Sequence, residues 1–169
     1  MKLETLKDLY LEQLRDLHSA ETQLVDELPK LAEAAHAPEL ARAIQDHLRE
    51  TQTQVDRLET IFRHLKEDAK GETCMGMKGL IKEAQEMVKM RGEPEVIDAG
   101  LIAAAQRVEH YEIAAYGTVC TYAEMLGYDH HHQLLGRTLE EEKLADEKLT
   151  LLATSRINAD AVAVTASAR

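Results

Sequence analysis

One helical repeat of apolar residues, between positions 97 and 126, is interrupted by a single charge, and this feature constrains the fold most. Alternating steps of three and four residues from Glu112 define one helical face. The face comprises Ile97, Leu101, Ala104, Val108, Glu112, Ala115, Val119, Tyr122 and Leu126. Glu109 lies one turn before Glu112, so both carboxylates share the inward side. An ionised carboxylate alone in an apolar core costs several kcal/mol, so it requires a proton, a partner or a bound cation.

Similar interruptions occur in three other long segments with helical periodicity. The interrupting residues are Glu21 in the first segment, Glu50 beside His47 and Gln54 in the second, and Glu142 with Asp146 in the last. Each lies roughly halfway along its segment. The economical arrangement of four such segments is a helical bundle whose central layer is acidic.

Caps and breakers give the predicted boundaries of the helices. The predicted helices run from Leu3 to about His36, from Pro38 to Leu65, from Met77 to Val88, from Pro94 to Leu126, and from Asp129 to about Ala153. Pro38 and Pro94 suit first helical turns, Gly127 suits a left-handed cap, and Asp129 suits an N-cap. The sequence predicts an all-α, antiparallel four-helix bundle over residues 1–154, with a long crossover carrying a short helix between its second and third helices. Residues 155–169 lack clear periodicity and are predicted to form a flexible tail.

Composition limits the classes of function. A formal net charge of -11 and the absence of a basic cluster argue against a nucleic-acid partner. No apolar run approaches the ~20 residues that span a bilayer, so no membrane partner is expected. Cys74 and Cys120 form no CxxC pair, and the chain begins with an amphipathic pattern in place of a signal peptide. These features predict a reducing, cytoplasmic location.

The acidic layer matches bundles that hold a pair of iron or manganese ions with glutamates and nearby nitrogen ligands. Oxygen-rich ligand sets suit hard or borderline dications. The predicted metal ligands are Glu21, Glu50, Glu112 and Glu142, with Glu109, Asp146, His47, Gln54 and Glu141 as further ligands or as hydrogen-bond partners of ligands. The alternative for any single glutamate is a solvated or lysine-paired residue at the edge of the core.

Two stretches carry a resemblance to a known family. The segments Leu101–Gly117 and Leu139–Lys143 resemble the YciE/YciF stress-protein family (DUF892), with supporting matches at Ser19–Leu24 and His47–Thr51. The resemblance covers nearly the whole chain to about Ala153. It implies a ferritin-like four-helix bundle, a homodimer, and an architecture related to rubrerythrin and manganese catalase.

The sequence departs from the wider ferritin-like pattern in its nitrogen ligands. Di-iron members of that superfamily usually carry Glu-x-x-His on the second and fourth helices, whereas here Thr53 and Ala145 follow Glu50 and Glu142 at that spacing. His47 instead precedes Glu50 by three residues. A metal site in this chain is therefore expected to be richer in oxygen ligands, or to bind metal weakly.

Two classes of function remain open from the sequence. The first is a di-metal oxidoreductase, catalase-like or ferroxidase-like, acting on peroxide, oxygen or ferrous iron. The second is a non-catalytic stress or interaction protein with a metal-free acidic core, which the missing histidines favour. Iron storage in a large cage is a weaker third hypothesis, because no fifth helix is evident beyond the four of the bundle and the short one in the crossover. The cluster His130–His132 is interpreted as an exposed helix start.

Overall fold

The computed structural model describes residues 3–167 and gives helices at the predicted places. They are α1 (Leu6–Ala34), α2 (Pro38–Leu65), α3 (Met75–Lys89), α4 (Pro94–Met125), α5 (Asp129–Leu152), a π-helical turn (Ala153–Ile157) and α6 (Asn158–Ser167). No strand occurs within this range. The all-α prediction is confirmed.

Local sequence accounts for the helix ends. Thr5 and Asp8 form a capping box at the start of α1, with the Thr5 amide donating to the Asp8 carboxylate at 2.8 Å. Pro38 and Pro94 lie in the first turns of α2 and α4, as predicted. Gly127 has a φ of 72°, which a residue without a Cβ adopts freely. Asp129 is not the N-cap of α5: Tyr128 occupies that position and makes no side-chain cap.

Helices α1 and α2 form one antiparallel pair, and α4 and α5 form the other. Across the interface of α1 and α4, Glu21 meets Tyr116, whereas the His36 amide just after α1 meets Asp98, so these two helices are also antiparallel. Helices α2 and α4 must then point in the same direction. A connection between parallel helices has to cross the length of the bundle, and residues 66–93, which include α3, make that crossing. The predicted ferritin-like connectivity is confirmed.

Two apolar clusters fill the bundle and leave a gap between them. One cluster includes Leu24, Leu28, Leu40, Ile44, Leu101, Val108 and Leu149, and the other includes Leu14, Leu17, Leu58, Ile61, Tyr116, Val119 and Leu135. On each long helix, the break between the two clusters falls where the sequence places its buried polar residues. The interior therefore has hydrocarbon above and below one polar layer.

The segment after α5 differs from its prediction. Residues predicted to lack regular structure form the π-helical turn and α6. Ala153 and Ile157 are buried against the first apolar cluster, and Arg156 pairs with Glu39 at the start of α2 at 2.8 Å. These contacts give a helix to a segment whose small residues show no amphipathic repeat. The flexibility of residues 155–169 stays a prediction.

Candidate metal centre

Four buried side chains from three helices converge in the polar layer. They are His47 on α2, Glu109 and Glu112 on α4, and Glu142 on α5. Each offers one ligand atom, and these atoms all lie within 4.8 Å of one another. A fifth side chain, Glu21 on α1, is also fully buried and electrostatically coupled to Glu112 and Glu142. We call these five residues the acidic layer.

The imidazole of His47 is oriented as a ligand would be. Its Nε2 faces the layer, 3.5 Å from Glu109 Oε1 and 3.9 Å from Glu142 Oε2. Its Nδ1 faces outward, 3.7 Å from Glu50 Oε2. A carboxylate on the outer nitrogen fixes the tautomer and ring orientation of metal-binding histidines. Glu50 thus lies beside the outer nitrogen of His47, at an ion-pair distance that is longer than a hydrogen bond.

Many polar atoms in the layer lack hydrogen-bond donors. Neither carboxylate oxygen of Glu112 has a hydrogen-bond partner, and one oxygen each of Glu21, Glu109 and Glu142 is likewise unpartnered. Buried polar atoms in folded proteins are nearly always paired, because an unpaired one costs about 1–3 kcal/mol. With so many unpaired oxygens in one place, this cluster could hold a metal ion.

Electrostatics in the layer favour protonation of the carboxyl groups when no cation is present. Burial, reinforced by the Glu142 charge, raises the pKa of Glu21 to about 8. Burial likewise raises the pKa values of Glu109 and Glu112 well above the usual range, and neighbouring carboxylates add to the shift at Glu112. For His47, burial alone would lower the pKa, but the Glu109 charge and the contact with Glu50 outweigh it and raise the pKa to about 10. Each of these pKa values is raised because the carboxylate charges of the layer are buried with no cation to compensate them.

A rim of hydrogen bonds holds Glu142 from the α2 side. Gln54 is buried and donates to Glu142 Oε1, and it also donates to Glu141 Oε2 at 3.2 Å. Glu141 in turn forms a bidentate pair with Arg57, with one bond of 2.7 Å. On the opposite side of the layer, the Tyr116 hydroxyl donates to Glu21 Oε1. These contacts fix the carboxylates while leaving their other oxygens free.

The structure separates the residues that the sequence grouped as candidate ligands. Glu21, Glu112, Glu142, Glu109 and His47 form the layer, and Gln54 and Glu141 support it. Two candidates lie elsewhere. Glu50 has a side chain that is 49% exposed and touches the layer only through His47. Asp146 accepts a 2.9 Å hydrogen bond from Gln106 and lies 3.4 Å from His110, outside the cluster.

Sequence analysis also missed two features. Arg57 was not identified as a residue of the rim, although it lies three residues after Gln54 and so on the same helical face. The expectation that His130–His132 form an exposed helix start is wrong for His131, which is buried beside Tyr10 and Tyr128. Burial lowers the pKa of His131 to about 4, so it stays neutral in this aromatic setting.

The fold and site define an all-helical bundle with a buried carboxylate and imidazole cluster. The chain belongs to the DUF892 family, described as a domain of unknown function, which matches residues 5–162. It is 47% identical over 161 residues to Protein YciF of Escherichia coli strain K12, covering 94% of this chain and 96% of that protein. Within residues 3–167, no helix has the length and apolar character needed to cross a membrane.

Solved structures of similar proteins share the fold. The crystal structure of the E. coli stress protein YciF matches with a TM-score of 0.89 and 46% identity, covering 92% of this chain and 99% of that one. The YcfI protein of Rhodopseudomonas palustris matches with a TM-score of 0.85 and 43% identity, covering 88% and 95%. A protein from Xanthomonas campestris, at 21% identity and a TM-score of 0.75, shares the fold alone. The resemblance read from the sequence is confirmed.

Proposed function

We propose that this protein binds two divalent metal ions, iron or manganese, in the acidic layer and acts on peroxide, oxygen or ferrous iron. The observation that carries the proposal is the set of unpartnered, buried carboxylate oxygens around His47 and Glu112. Four carboxylates and one imidazole form a donor set of the hard and borderline type that these ions prefer. When bound, two redox-active ions would supply electron transfer to and from a small oxidant.

Charge balance supports two ions per chain. Glu21, Glu109, Glu112 and Glu142 are each at most 2% exposed and together carry four negative charges when ionised. Two divalent ions would cancel these charges, whereas a single ion would leave two uncompensated in a low-dielectric interior. The neutral form of His47 would add a nitrogen ligand without changing this balance.

The chain's own residues would prepare the site. Glu50 faces the outer nitrogen of His47 at 3.7 Å, and Gln54 and Tyr116 fix one oxygen each of Glu142 and Glu21. The two apolar clusters on either side of the layer exclude bulk water and strengthen electrostatic interactions within it. Binding would release the protons that the raised pKa values hold on the carboxyl groups.

A titration with ferrous or manganous ions under anaerobic conditions tests the proposal. The wild-type chain should bind close to two ions, and Glu112→Ala should abolish that stoichiometric binding. Glu124→Ala is the matched control, because Glu124 lies on the same helix but is exposed. The loaded wild type and the loaded Glu124→Ala protein should then both be assayed for consumption of peroxide, oxygen and ferrous iron. Binding below one ion per chain at micromolar metal contradicts the proposal.

A second function has one observation in its favour. The ligand oxygens of Glu109, Glu112 and Glu142 lie within 4.8 Å of one another, and burial raises the pKa values of all three groups, so bound protons would neutralise much of the layer without metal. In that case the protein is a non-catalytic stress or interaction protein. Its melting temperature would be the same with metal and with chelator, whereas a metal-binding chain loses stability on chelation.

Assembly as a homodimer, which the family resemblance implies, stays a prediction. Sedimentation equilibrium of the full chain distinguishes a homodimer from an iron-storage cage. A species of two chains agrees with the dimer and excludes an iron-storage cage, and a species of many chains would favour the cage.

A further inference from the structure

A cavity of about 120 Å³ lies beside the acidic layer on the side of the first apolar cluster. Its wall is mostly hydrocarbon from all four long helices. The apolar wall includes Leu24, Leu28, Ile44, Leu101, Val108 and Leu149. Well-packed interiors contain few voids larger than a water molecule, so a space of this size beside the acidic layer is a candidate binding site.

The cavity has one polar end inside the protein. His47 and Glu109 line it, at 7% and 2% exposure, and Glu109 Oε2 has no hydrogen-bond partner. An occupant of the cavity would therefore have one end against the acidic layer and the rest of its surface against hydrocarbon.

The cavity opens between α2 and α5. The exposed residues of its lining are Glu50 on α2 and Leu144 and Lys148 on α5. Leu144, which is 62% exposed, adds an apolar side chain to the mouth of the cavity. Lys148 is paired with Asp46 at 3.2 Å, so among the described residues that line the mouth no unpaired cation selects for an anionic head group.

We propose that this cavity binds a neutral organic molecule with an alkyl or aryl body of about six carbons, whose end lies against His47 and Glu109. The size follows from volume: an apolar cavity of about 150 Å³ takes up benzene, so a cavity of about 120 Å³ that is open at its mouth holds a body of at most about this size. The chemistry follows from the wall, because an apolar ligand gains free energy by burying its surface against hydrocarbon. The role of this molecule as a substrate rests on the proposed function, but its binding does not.

A series of primary alcohols from 1-butanol to 1-decanol, titrated by ligand-observed NMR into the metal-free full chain, tests the proposal. Affinity should rise about fourfold with each added methylene, the value of burying one CH₂, and should stop rising at about six carbons when the cavity is full. An affinity that rises steadily to ten carbons, or that does not depend on length, would overturn the proposal.

Two variants locate the binding. Ala105 on α4 lines the cavity and Ala103 on the same helix is exposed, so Ala105→Leu should weaken binding of 1-hexanol at least tenfold and Ala103→Leu should not change it. Ala145→Leu, which fills the cavity from α5, should repeat the loss if Ala105→Leu unfolds, as judged by circular dichroism. Equal affinities in the filled and control variants would contradict the assignment.

Metal content, measured on the same proteins, separates this proposal from the function above. Normal metal binding without length-dependent alcohol binding rejects the cavity ligand alone. Length-dependent alcohol binding in a chain that takes up no metal supports the cavity ligand and rejects the metal centre.

Discussion

Asp98 and Glu112 lie on the same helix and are equally buried, at 2% and 0% exposure, yet their surroundings are opposite. Asp98 accepts hydrogen bonds from the backbone amides of His36 and Ala37 at 2.8 and 2.6 Å, and so fixes the turn between α1 and α2. Glu112 receives no hydrogen bond at either oxygen. Where a buried carboxylate serves the fold, the chain supplies its donors. Because Glu112 has no such donors, its charge must be neutralised by a proton or, under the proposed function, by a metal ion.

The largest expected difference between the two carboxylates is in the response to metal. At 100 to 1,000 times the dissociation constant, manganous ions should stabilise the protein by about 3–4 kcal/mol for each ion bound, and each such increment raises the melting temperature by roughly 5–15 °C. Asp98→Asn should keep the full increase, because Asp98 is remote from the layer, and Glu112→Ala should lose it. Thermal melts with and without chelator measure the effect, and an increase that survives in Glu112→Ala would contradict the site.

The pH dependence of the metal-free protein should also come from the acidic layer. Because the folded pKa of Glu21 is raised to about 8, the folded state keeps a proton that the unfolded state releases near 4.5. Stability is therefore fully present below pH 4.5 and is lost as the pH rises to 8. We expect Glu21 to account for a loss of about 5 kcal/mol over that window, the value of a shift from 4.5 to about 8, in urea titrations.

Two substitutions check the origin of that loss. Glu21→Gln should reduce the slope of the profile between pH 5 and 8, because the amide has no proton to lose, whereas Glu109, Glu112 and Glu142 still titrate. Glu124→Gln, an exposed control on α4, should leave it unchanged. A profile of the same slope in the wild type and Glu21→Gln would rule out Glu21 as a source of the loss.

Neutral replacements should act in opposite directions at the two sites. Asp98→Asn weakens two charge-assisted hydrogen bonds and should destabilise the protein by about 2 kcal/mol. Glu112→Gln removes a repelled charge, so the metal-free protein should be as stable as the wild type or more stable. Chemical denaturation at pH 7 measures both, and a destabilised metal-free Glu112→Gln would mean that its carboxyl group already has a structural partner.

The smallest expected effect distinguishes a ligand from a residue that orients one. Glu50→Gln weakens the outward support of His47 and should lower metal affinity by about tenfold. Glu142→Gln removes a proposed ligand and should lower it by at least 100-fold. Competition with a chelator gives both constants. Equal losses would restore Glu50 to the ligand set that the sequence pattern predicted.

The fold could be predicted from the sequence because the sequence features that determine it are local. The apolar repeat, Pro38, Pro94 and Gly127 defined the helices, and the length of the crossover defined the connectivity. The helix after Ala153 was missed because it depends on a tertiary contact, the docking of Ile157 into the core, and not on periodicity.

The sequence predicted the residues of the site only to within one helical turn. Periodicity places Glu50 and His47 on neighbouring faces of α2, and a small rotation of the helix decides which one points inward. That rotation is set by packing against α1 and α5, which the sequence of α2 does not contain. The same holds for Asp146, one turn beyond Glu142, which the geometry turns toward Gln106.

The measurement that tests the central claim most directly is an anomalous difference map from a crystal soaked in manganous or ferrous ions. We expect two peaks within the acidic layer, among His47, Glu109, Glu112, Glu142 and Glu21, and none at these positions in a Glu112→Ala crystal. A wild-type map with no peak in the layer, or with metal only at exposed histidines such as His130, would contradict the account.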